Sequence, residues 1–156
     1  MLKNVFSTAV FFVISLFIFG AAQAQTDYTW ESYGLSFTVP AGFSETANTD
    51  EKFEGKSDKA KIHLFGIYPI NDANVTEDNL LEALIEMAAA SGLNVEDADE
   101  IEFNGFKGLY AEGEIEGIPT FFACMLDPNG ELNFIVSIVH NNADAATNIM
   151  KSITAK

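Results

Sequence analysis

The 156-residue chain carries 23 Asp and Glu against 8 Lys and has no Arg, for a formal charge of −15. Recognition of phosphate leans on Arg forks and basic patches, so nucleic acid and anionic membrane surfaces are poor partners for it. Cys124 is the only cysteine, which excludes an intramolecular disulfide and leaves the fold to rest on its hydrophobic core.

Residues 1–24 read as a secretory signal peptide. Lys3 supplies the positive start, residues 5–19 are almost unbroken apolar, and Ala22-Gln23-Ala24 is a small-x-small cleavage site. The apolar run is shorter than the roughly 20 residues that span a bilayer. No cysteine lies near the site, so a lipoprotein is not indicated. Cleavage after Ala24 predicts a secreted or periplasmic protein with no stable membrane insertion. It leaves residues 25–156 as a single domain of 132 residues, long enough to bury a core. With Lys3 gone, 7 Lys face the 23 acidic residues, a formal −16. Such a charge keeps a domain soluble and attracts cations and basic partners.

In residues 30–39, Leu35, Phe37 and Val39 alternate with Ser36 and Thr38, which predicts one strand ended by Pro40-Ala41-Gly42. Polar stretches around 43–47 and 52–55 predict two short strands. Residues 60–70 predict a longer one, with Ile62, Leu64 and Tyr68 on one face and Lys61, His63, Phe65 and Ile67 on the other. Residues 76–91 predict a helix: Thr76 as N-cap, Glu77 and Asp78 at its positive end, and Gly92 just beyond it. Its apolar stripe is Leu80, Leu81, Leu84, Ile85 and Ala88.

A meander follows. Asn104-Gly105 suits a two-residue hairpin loop, since both residues can take positive φ. In residues 106–115 the aliphatic set Leu109, Ala111 and Ile115 alternates with glutamates, so Glu112, Glu114 and the following Glu116 line up on a wet face. After a turn at Gly117, residues 120–126 are apolar on both faces, which predicts a strand covered on both sides. Asp127-Pro128-Asn129-Gly130 turns the chain into another such strand at 132–139. Short turns make these neighbours antiparallel. A last helix opens at Asn141-Asn142, with Ala145, Ala146, Ile149, Met150 and Ile153 facing inward.

The segment Tyr33-Gly34-Leu35-Ser36-Phe37-Thr38-Val39-Pro40-Ala41-Gly42-Phe43 resembles the opening of PsbP-like domains, an aromatic-Gly strand that reaches a Pro and then a Gly-aromatic pair. Phe103-Asn104-Gly105-Phe106-Lys107-Gly108, the Gly117 turn, and a final strand followed by a short helix resemble the second half of such domains. The likeness runs over about residues 28–153. The family includes the extrinsic photosystem II subunit, a Ran-binding nuclear import factor and many secreted bacterial proteins; the bacterial-style signal speaks against a nuclear or chloroplast member. The resemblance implies an α+β fold, an antiparallel sheet of about six strands flanked by helices on both faces as an α/β/α sandwich. It carries over no catalytic residue.

Groups able to do chemistry are few. Cys124 with His63 is the one obvious nucleophile and base, but Cys124 lies in an apolar run and reads as a buried thiol. His63 reads as a partly exposed strand residue and His140 as similar; two histidines without ligand spacing make no zinc site. Glu96, Asp97, Asp99, Glu100 and Glu102 form one acidic cluster, and Glu112, Glu114 and Glu116 form a row. Both read as solvated surface. Asp127-x-Asn129-Gly130 lacks the later ligands of a calcium loop and reads as a turn. Asn74-Val75-Thr76 fits a glycosylation acceptor, but Thr76 is better explained as a helix cap. No catalytic, metal or cofactor-binding residue is assigned, and no cofactor is expected. The reading is a non-enzymatic binding or interaction domain whose partner is another envelope or extracellular protein. Its alternatives are an acidic module that responds to calcium and, third, a hydrolase.

Overall fold

The computed structural model describes residues 24–155. The expected signal peptide lies outside them, apart from Ala24. The chain first forms two strands, β1 (Thr26–Trp30) and β2 (Leu35–Val39), which pair antiparallel. The single strand expected over 30–39 is thus the second half of a hairpin. Its turn closes through the Gly34 N–H donating to the Trp30 carbonyl at 2.9 Å, with Gly34 at φ 67. No Asn-Gly pair marks this turn.

Next come β3 (Ser44–Asn48), β4 (Phe53–Ser57) and β5 (Ile62–Pro69). A one-turn 3-10 segment, Glu77–Asn79, leads into α1 (Leu80–Ala90). Thr76 stands before that segment, and the Asn79 side chain accepts the Thr76 N–H at 2.8 Å. The buried stripe of α1 is Leu80, Leu84 and Ala88, one residue per turn; Leu81, expected on the stripe, is 40% exposed. Gly92 at φ 85 ends the helix. The Leu93 and Gly92 N–H groups donate to the Ala88 and Ala89 carbonyls at 2.9 and 3.0 Å, a Schellman turn that throws Leu93 back into the core.

The meander is β6 (Asp99–Phe103), β7 (Phe106–Ile115), β8 (Ile118–Leu126) and β9 (Phe134–His140). Helix α2 (Ala143–Ser152) is capped by Asn142, whose Oδ1 accepts the Ala145 N–H at 3.1 Å. The two-residue β10 (Thr154–Ala155) returns to β2.

These strands form two sheets. One has seven antiparallel strands in the order β3-β4-β5-β9-β8-β7-β6; the other has three, β1-β2-β10. One face of the large sheet carries α1 against β7 and β8, and buries Leu84, Leu93, Phe122 and Cys124. The opposite face is roofed by the small sheet, with α2 laid against β2 and β9. The main core lies between, an aromatic cluster in which Phe37, Phe53, Phe65, Phe106 and Phe134 are all nearly inaccessible. Phe37 meets Phe53 and Phe65 edge to face at 4.7 and 5.1 Å between centroids. The expected α/β/α sandwich, with helices on both faces of a six-stranded sheet, is therefore not the architecture. The segment before Leu35 folds back as β1 and makes a second sheet, and residues 44–57 add a hairpin to the first. The molecule is mostly β, and one face of the large sheet is covered chiefly by a second sheet in place of a helical layer.

The faces of β5 also differ from the expected alternation. Its pairing with β9 shifts between Ile62 and Leu64, so Ile62, Phe65 and Ile67 all enter the main core. The bulge absorbs one residue of the alternation, and that residue is His63, which is left exposed.

Candidate functional site

Strands β6, β7, β8 and β9 and helix α2 line a cleft of 460 Å³ between α2 and the large sheet, beside the β7–β8 turn. Parity along the strands decides what faces it. Phe106 and Tyr110 of β7 pack into the main core, so Glu112 and Glu114, at the same parity, project on that side. Across the ladder Glu112 stands opposite Phe121 and Glu114 opposite Pro119. Phe121 stacks on Tyr110 with centroids 5.1 Å apart and forms the apolar floor. Met150 and Thr147 of α2 make the far wall, with Lys151 at its end and His140 of β9 closing the back.

The position of α2 depends on a residue far away in sequence. The Asn104 side-chain amide donates to the Lys151 and Ile153 carbonyls at 2.8 and 2.9 Å. Asn104, at φ 47 in the β6–β7 turn, thus ties that turn to the end of the helix.

Electrostatics in the cleft are uneven. Glu112 and Glu114 are exposed, and among the described residues neither pairs with a cation; the ion pairs are Lys52–Glu54 at 2.9 Å and Lys107–Glu102 at 4.0 Å. His140 is half-buried, and its Nδ1 is buried without a hydrogen-bond partner among the described residues. Burial holds this imidazole below its ordinary range; Glu112 pulls the other way, and His63 adds to the lowering. The cleft therefore offers an apolar floor, two carboxylates without a cation partner among the described residues, and an imidazole whose burial disfavours its charged form.

No family model matches the chain, and no curated protein is similar to it. A solved structure is similar in fold. It is the crystal structure of a protein from Bacteroides thetaiotaomicron VPI-5482, 13% identical, with a TM-score of 0.51 over 86% of this chain. The chain spans about half the length of that protein, 48%. At this identity the likeness concerns the fold alone.

The residues singled out in the sequence are not brought together. Cys124 is fully buried beneath α1, its Sγ 4.0 Å from the Met87 Sδ, and burial pushes its thiol up to about 12. His63 lies at the far end of β5, exposed, its Nε2 accepting the Asn141 side-chain amide at 3.0 Å. The acidic cluster splits along β6: Asp99 shares a face with Ile101 and Phe103, while Glu100 and Glu102 turn to the α1 side. There they line a wetter cleft of 540 Å³ with Glu77 and Lys107. Among the described residues no three His, Cys, Asp or Glu side chains are grouped to hold a metal ion. Asp127 spends its side chain on the turn, accepting the Asn129 N–H at 2.9 Å. Asn74 is exposed and donates to Asp72. Glu116 takes φ 52 in the β7–β8 turn, so the glutamates that line the cleft are Glu112 and Glu114. The meeting of these two with His140 and α2 had no local signal in the sequence, because it depends on strand order.

Proposed function

We propose that this chain is a non-catalytic binding domain of the cell envelope or exterior, and that the α2 cleft takes a cationic group carried on an apolar stem. One observation carries the reading: among the described residues Glu112 and Glu114 stand unpaired beside the apolar floor of Phe121 and the Met150 wall. A lysine-like side chain would lay its methylenes on that floor and its ammonium against the carboxylates. The signal-like start and the resemblance to PsbP-like domains support placement outside the cytoplasm. The buried thiol of Cys124 and its distance from His63 support a binding role over nucleophilic catalysis. A thermal-shift comparison of polyamines and lysine-containing peptides with their neutral analogues tests the reading. The cationic members raise the melting temperature, and Glu112→Gln with Glu114→Gln removes the rise. Equal shifts with the neutral analogues, or no shift with any, would overturn it.

A further inference from the structure

The same cleft opens onto an unpaired stretch of sheet edge. Strand β6 pairs with β7 only from Phe106 to Tyr110, whereas β7 runs on to Ile115. Both turns that bound β7 have two residues, Asn104-Gly105 and Glu116-Gly117, all four at positive φ. In such hairpins the flanking pair exchanges both hydrogen bonds, and bonding pairs then alternate. From one turn, Phe106, Gly108 and Tyr110 bond towards β6; from the other, Ile115, Gly113 and Ala111 bond towards β8. The two parities agree, and they leave the N–H and C=O groups of Glu112 and Glu114 pointing outward. Among the described residues no backbone bond meets them. A crevice of 270 Å³ lies at the β6 end of this stretch, where Asp97 and Ala98 lead into β6 beside Ala111 and Glu112.

The edges of β3 and β1 are less open. Strand β3 is bulged between Glu45 and Ala47. The end of β1 is tied to the β3–β4 hairpin, because the Asn48 amide donates to the Thr29 carbonyl and the Trp30 ring N–H donates to Thr49.

We propose that an extended basic peptide segment of a partner protein adds as a strand to β7 over Glu112 and Glu114, in line with β6. The inference rests on the cleft being the binding site and specifies how its ligand is held. Side chains opposite Glu112 and Glu114 project to the α2 face, where lysine or arginine meets the two carboxylates and the cleft floor. Residues of the alternate parity turn to the α1 side, near the buried Leu93 and half-buried Ile115, and are apolar. A second copy of this chain is excluded as the occupant, since pairing edge to edge sets the glutamates of one row against those of the other.

The probe is a synthetic peptide of nine residues alternating lysine with valine, and the readout is amide hydrogen exchange resolved by residue. Peptide binding slows exchange at Glu112 and Glu114 by roughly tenfold or more, as new backbone bonds require. Glu114→Pro removes an outward N–H while leaving the β7–β8 bonds in place, and weakens the peptide by roughly tenfold relative to Glu114→Gln. A peptide whose lysine amides are N-methylated keeps its charge and loses the same affinity. If the parent peptide binds with the Glu112 and Glu114 amides unchanged, or the N-methylated peptide binds as well, strand addition is overturned while the cleft reading stands. If neither the peptide nor the polyamines bind, both fall.

Discussion

At the residue scale, two side chains are held against their intrinsic preference. Glu116 adopts φ 52, a region that an L residue with a long side chain enters at a cost of about 1 kcal/mol. Glu116→Asn recreates the Asn-Gly pair of the preceding hairpin, and raises stability in urea unfolding by about 0.5–1 kcal/mol. His140 is the second. Its folded pKa lies below the unfolded value of 6.5. Below that pH the unfolded chain binds a proton that the folded chain resists, so this contribution is full above about pH 6.5 and is lost as pH falls towards the folded value. Wild type accordingly loses more of its urea midpoint between about pH 8 and about pH 5.5 than His140→Gln does, and equal losses would refute the assignment. Glu112 on β7 and His63 on β5 are the charged neighbours that modulate the effect. None of this was legible in the sequence. A strand histidine looks the same whether it faces water or the back of a cleft, and a β-bulge such as the one at His63 carries no residue signature.

At the element scale the sequence was most readable where turn chemistry and alternation agree. Asn104-Gly105 and the glutamate alternation located β7 to the residue, and β8 is covered on both faces from Phe122 to Met125, while Phe121 floors the cleft. The α1 stripe was readable in outline, because period alone cannot say which flank of an apolar arc meets a narrow strip of sheet; Leu81 fell on the outside. The first hairpin was hidden because Glu31-Ser32-Tyr33-Gly34 offers one Gly in place of a paired turn signal. The join between α1 and the sheet gives a direct test. Leu93, delivered by the Schellman turn, packs over Gly113, where an added Cβ would stand 2.7 Å from its Cδ1. Leu93→Ala costs about 2–5 kcal/mol, and Gly113→Ala costs about 1–3 kcal/mol by overpacking. The double variant loses less than the two costs added, since the new methyl fills part of the space the leucine vacates. Additive losses would show that the two positions do not share that space.

At the scale of the whole molecule, the seven-stranded order places the β3–β5 hairpins and the later meander side by side through β5 and β9, strands separated in the chain by α1 and β6–β8. The short turns foretold an antiparallel sheet but not the second one, since the alternation of Leu35, Phe37 and Val39 says that a face is covered and not by what. The formal charge of −15 on so small a body makes self-repulsion a general term in its stability. Raising NaCl from about 10 mM to about 500 mM therefore raises the melting temperature, because screening weakens repulsion more than it weakens the sparse ion pairs. A fall would mean that local pairs outweigh the net charge. The closing of the small sheet has a further meaning for time. Strand β2 gains its second neighbour only from β10, where the Thr154 hydroxyl reaches the Ser36 carbonyl across 118 positions of chain. Contacts that distant form slowly and late. Phe53 and Phe65 already lie against Phe37, so the trailing end supplies the last edge of β2 and the α2 cover, and the small sheet closes after the aromatic core beneath it has gathered.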